Sequence, residues 1–206
     1  MELICKRCFP LAVRVTDRFH VQKLATEALQ EIRIKYRWEA LDAENEAIEQ
    51  SKKIGNRFQP QILPNGDTVK QLLARGRYML YKKPTLWTQN QEERAQLLFE
   101  IYPNLKTAYA LTMELSRLFE DTKDKVFGLA NLARWHEKVR QTGFKAFNTV
   151  ARSIQNHYQT ILNYFDNRST NASAESFNAK IKAFRTQFRG VKNVEFFLFR
   201  LTQLYA

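Results

Sequence analysis

Cysteine is almost missing from this sequence: Cys5 and Cys8 are the only two in 206 residues. A disulfide framework of the secreted type is therefore excluded. The pair has C-x-x-C spacing, but a zinc ribbon needs a second pair of ligands at matching spacing and none exists, so the pair reads as incidental. Glycine is equally scarce, with six in the chain. No Gly-rich phosphate loop, nucleophile elbow or H-E-x-x-H motif is present. Nor is there an apolar run of about 18 residues or an N-terminal leader with a cleavage site, so neither a membrane span nor export is expected. The expected location is the reducing cytoplasm. A repeat of fixed period is also lacking, which excludes a solenoid.

What the chain has is positive charge, a net +12, and it is unevenly placed. Residues 1–36 carry seven Lys/Arg against four Asp/Glu, residues 37–139 sixteen against fourteen, and residues 140–206 ten against three. More than half of the excess lies in the last third, where it favours a polyanionic partner.

The pattern is mainly helical. Residues 11–16, Leu-Ala-Val-Arg-Val-Thr after Pro10, read as a strand because β-branched side chains recur at alternate positions. Val21, Leu24, Ala25, Ala28, Leu29 and Ile32 then follow the rhythm of one helical face, and the composition carries the helix to about residue 53. Asn65-Gly66 marks a turn, after which Asp67 is expected to cap a helix through Leu72, Leu73 and Arg75. Thr88 with Gln91 forms a capping box, and Pro103 interrupts or restarts the chain. Leu105, Ala108, Leu111, Leu115 and Leu118 form a further stripe. Leu129, Leu132, Trp135 and Val139 belong to the next helix, which Gly143 ends. Phe144, Phe147, Val150, Ile154, Tyr158, Ile161, Leu162 and Phe165 predict one side of a single long helix. These stripes are core positions.

Two constellations carry chemistry. Asp17-Arg18-Phe19-His20 follows the expected strand, where ligands of open α/β sheets gather, although His20 fits a hydrogen-bonded corner equally well. Near the other end, a Ser/Thr/Asn cluster over residues 167–173 leads into a helix with Phe177, Ile181, Phe184 and Phe188 on one stripe. Glu175, Asn178, Lys182, Arg185 and Arg189 follow another face, and Gly190 ends the helix. An acid in a first helical turn is favoured by the dipole with no catalytic duty. The uniform sign of Lys180, Lys182, Arg185, Arg189 and Lys192 suits phosphate contact.

Phe9-Pro10, Val13, Asp17-Arg18-Phe19-His20-Val21 and Lys23, followed by Trp135, by Ile161-Leu162-Asn163-Tyr164-Phe165, and by Thr170-Asn171 through Glu175, Asn178, Ile181-Lys182, Arg185, Gly190, Asn193, Phe197 and Arg200, resemble the DDE transposases of the ISL-three group of bacterial insertion sequences. The resemblance implies a ribonuclease-H-like catalytic domain interrupted by a helical insertion. The expected organisation is a partial core over 1–22 with one remnant strand, a helical insertion over 23–165, and C-terminal core helices over 166–206. It implies Glu175 as the last acid of the catalytic set and a ligand of Mg²⁺ or Mn²⁺ in the complete enzyme, with Asp17 and His20 as a supporting D-x-x-H motif. It further implies double-stranded DNA at the element ends as partner, with self-association as a further expectation. Ser176 stands where the family carries Gly. Only Glu2 among the residues before Asp17 is acidic. The first two catalytic aspartates are therefore expected on a missing N-terminal half, leaving this chain inactive and without metal by itself. A non-catalytic basic helical module that binds nucleic acid is the alternative, and a helical interaction protein a third.

Overall fold

In the computed structural model, residues 3, 7–168, 172–190 and 192–205 are described. Cys5 of the C-x-x-C pair and residues 169–171 of the capping cluster lie outside them. The chain divides into two compact units, Met1–Asn167 and Arg168–Ala206. The first unit holds both the 1–22 and the 23–165 segments.

The first unit is organised on α1, Arg18–Lys53, a helix of roughly 54 Å at 1.5 Å per residue. Asp17 starts it: its carboxylate accepts from the Phe19 N–H at 2.8 Å. Lys52 and Lys53 close it, where cations complement the helix dipole. Helices α2 (Val69–Met79), α3 (Gln89–Ile101), α4 (Pro103–Asp121), α5 (Lys125–Thr142) and α6 (Lys145–Asn156) follow. The short α7 (Tyr158–Leu162) and α8 (Tyr164–Asn167) complete the unit. α1 packs against α2, α4 and α6, and α5 bridges α4 to α6. Leu29, Leu72, Leu98, Leu105, Leu115, Phe119, Trp135 and Phe147 fill the interior, all essentially inaccessible to solvent. Such amphipathic packing, more than helix propensity, supplies helical stability.

Local signals place most of these boundaries. Gln91 accepts from the Thr88 N–H at 3.2 Å, Pro103 occupies the first turn of α4, and Asp124 caps α5 by accepting from Val126 N–H at 2.7 Å. Gly143 ends α5 at φ 70°, a left-handed conformation that glycine enters without a Cβ penalty. All five residues of the stripe from Leu105 to Leu118 are buried.

Three expectations need correction. Among the described residues no strand forms: residues 12–17 are irregular, with Leu11 96% and Val13 70% exposed. A strand needs a neighbour to accept its ladder, and here the segment hydrogen-bonds to α7 and its flank. The Thr16 N–H donates to the Thr160 carbonyl at 2.8 Å, and the Asn163 amide donates to the Arg14 carbonyl at 2.8 Å.

Second, Asp67 does not cap α2. Thr68 does, in a reciprocal box with Gln71 at 3.0 and 3.3 Å. Asp67 lies fully buried and holds Arg75 and Arg94, the latter at 2.9 Å.

Third, the long helix expected after Gly143 is broken at His157 and Asn163 into α6, α7 and α8. The breaks turn Leu162 and Phe165 onto α5, where Gly128 admits them: a Cβ there would stand 2.8 Å from the Phe165 ring. Tyr158 is left exposed.

The second unit is a pair of helices, α9 (Ala172–Gln187) and α10 (Val194–Tyr205). Gly190 at φ 94° lets the chain reverse between them. Asn193 caps α10 by accepting from Phe196 N–H at 2.9 Å. Phe184 is buried, with the Phe188 and Phe197 rings at 4.4 and 5.3 Å centroid distance.

Candidate functional site

The cations of the second unit are arranged by the packing of its aromatics. Burial of Phe184 against Phe197 fixes the rotation of α9, and residues on its other side are forced outward. Lys182 and Arg185, spaced to recur on one face of α9, and Arg189 in the turn that follows line a groove of about 720 Å³ together with Ile181, Phe188 and Phe197. All three cations are exposed, and none forms a salt bridge among the described residues. Arg200 from α10 lies over the Phe188 ring at 5.9 Å. Lys180 and Lys192 are exposed but do not line this groove.

Glu175 occupies the first turn of α9 and is exposed. Lys182 follows it by seven residues, two turns of helix, so the carboxylate shares its face with Lys182 and Arg185. The groove thus has a positive wall with an acid towards the start of its helix.

In the first unit, Asp17 is buried at 7% exposure and its capping bond orients the start of α1. His20 follows one turn later; its ring meets Phe19 edge-on at 6.2 Å and lines a groove of about 410 Å³ with Glu27 and His157. His157, from the break between α6 and α7, has no sequence signal of its own. The structure thus brings Asp17 and His20 together at one helix start.

A second cationic group also escaped the sequence reading. Arg33 is buried, donating at 2.6 Å to Gln30 and at 2.8 Å to the Leu73 carbonyl. Burial, then the charges of Arg37 and Arg77, hold its pKa below the usual arginine value. The near balance of charge over 37–139 concealed the cluster, because its members come from α1 and α2, far apart in the chain.

A family model described as a transposase, that of the ISL-three DDE type, matches residues 2–201. The chain belongs to this transposase family. Comparison with curated proteins and with solved structures returns no match. The match spans the first constellation, the helices between and the second, so one family accounts for both ends of the chain. DNA is the partner class of this transposase. No described helix is long and apolar enough to cross a membrane.

Enzymes of the DDE type are expected to use divalent cations. Among the described residues no group of three or more His, Cys, Asp or Glu gathers as a metal centre. Besides Glu175, the second unit contains only Glu195 as an acid.

Proposed function

We propose that this transposase grips the phosphate backbone of double-stranded DNA, at the ends of its element, through the α9 face carrying Lys182 and Arg185 together with Arg189 in the turn that follows. Glu175, on the same face, supplies one carboxylate to a catalytic set whose other acids come from another polypeptide segment. Lys180 and Lys192 add positive field beside the groove, and Asp17 and His20 support the core from the start of α1. The activity is cutting and joining of insertion-element DNA by phosphoryl transfer.

The observation that supports this reading best is the alignment of Glu175, Lys182 and Arg185 on a single exposed helical face with Arg189 in the adjoining turn, the three cations forming no salt bridge among the described residues. A purely solvated face would gain by interspersing both signs, whereas phosphate contact requires one.

Binding to duplex DNA that carries the element ends, measured as a function of salt, tests it. Each phosphate contact contributes a slope of about 0.9 in log affinity against log salt. Replacing Lys182, Arg185 and Arg189 together by alanine is expected to lower the slope by about 2 to 3. An unchanged slope would place the DNA elsewhere. The alternative, a basic module that binds without chemistry, predicts the same slope change but complete indifference of strand cleavage to Glu175→Gln.

A further inference from the structure

α1 is apolar on two opposite sides. Ala25, Leu29, Tyr36 and Ala40 face the core of the first unit. At about 100° per residue, Ile34, Trp38, Leu41, Asn45 and Ile48 form a second stripe nearly opposite. Ile34 is 43% and Trp38 62% exposed, while Leu41 and Ile48 are half-buried. The steps between them alternate four and three residues, the a/d spacing of a coiled-coil seam with Asn45 at one a position. The stripe is not the amphipathic face that buries α1 in its own unit.

The residues flanking the stripe indicate what covers it. Lys35 and Arg37 flank its first half, and Asp42, Glu44 and Glu49 its second. A helix with positive flanks at one end and negative flanks at the other complements itself when reversed. We propose that α1 pairs with α1 of a second copy of this chain in an antiparallel coiled coil centred between Glu39 and Ala40.

In that register Trp38 packs on Leu41 of the other copy and Ile34 on its Asn45. Lys35 faces Asp42 of the other copy, and Arg37 faces its Glu44, each pair occurring twice by symmetry. Glu44 already holds Lys70 at 2.9 Å within its own chain, so Arg37 of the second copy joins that pair. The parallel alternative sets Glu44 against Glu49 and stacks the two Trp38 rings in one layer, which disfavours it. A seam this short does not hold free peptides together, but α1 is already ordered by its own unit, so pairing orders only side chains.

Sedimentation equilibrium of the 206-residue chain tests the pairing without DNA. The wild type is expected to dimerise, and Trp38→Glu to be monomeric with an unchanged circular dichroism spectrum. Lys35→Glu should raise the dimer dissociation constant roughly tenfold, because two attractive pairs become repulsive. Lys35→Glu combined with Asp42→Lys should restore it. These two are surface changes, so the swap remains decisive even where Trp38→Glu misfolds. A parallel pair would not show this rescue, because Asp42→Lys would then meet Arg37. A monomeric wild type, a dimer indifferent to Lys35→Glu, or a double variant without rescue overturns the proposal. So does a monomer whose DNA binding depends on Trp38, which would make the stripe a nucleic-acid surface.

Discussion

Asp67 has no exposed surface yet is charged, because three partners surround it. Arg75 and Arg94 pair with its two oxygens and the Asn65 amide donates at 3.0 Å. Burial alone would raise its pKa; hydrogen bonding and charge from Arg94 and Arg75 outweigh that and leave it below the usual carboxylate value. The pair ties the loop before α2 to α3, so Asp67→Asn, which strands two guanidinium groups, is expected to cost about 3 kcal/mol. Thermal melts at pH 7 check it. The stability from this depressed pKa is fully present above the unfolded-state value of about 3.9 and is lost as pH falls through the folded value. The difference between wild type and variant should therefore shrink below about pH 4. Gly128 makes a steric argument at the same scale. A methyl group there meets the Phe165 ring at 2.8 Å, with Leu162 at 3.4 Å. Gly128→Ala should cost about 1 to 3 kcal/mol in chemical denaturation despite its better helix propensity. A neutral or stabilising outcome would mean that α8 moves freely.

At the scale of elements, the helices were legible because their signals are local. Thr88 with Gln91, Pro103 and Gly143 act within a turn of where they stand, and the stripe from Leu105 to Leu118 needs only its own period. Residues 11–16 were misread for the opposite reason. Their alternation is sound strand grammar, but a strand is completed by a neighbour distant in sequence, and no described segment provides one. Asp67 was misassigned because a buried ion pair depends on Arg94, 27 residues away. The breaks at His157 and Asn163 follow from Gly128 on another helix. Of the site, Glu175, Lys182 and Arg185 were legible as one face of α9, whereas the groove depends on Phe197 and Val194 from α10 and Arg189 enters it from the turn between them. Leu11→Asn with Val13→Asn should leave the stability of the isolated chain within about 0.5 kcal/mol, since both side chains are exposed. A large loss of stability in the isolated chain would show that the segment is already packed.

For the whole molecule, we propose that the helical body and the small basic unit do different work. The body carries the α1 stripe and the D-x-x-H pair; the basic unit is proposed to carry DNA contact and the last acid. In this proposal Glu175 acts in chemistry and not in binding, although it shares a helix face with Lys182 and Arg185. Strand cleavage of element-end DNA by the transposase, with Glu175→Gln against wild type and DNA affinity recorded in parallel, tests this most directly. Cleavage is predicted to fall at least about a hundredfold while affinity is unchanged or slightly higher. Cleavage that persists at the wild-type rate would contradict the assignment and leave Glu175 an ordinary acid at a helix start.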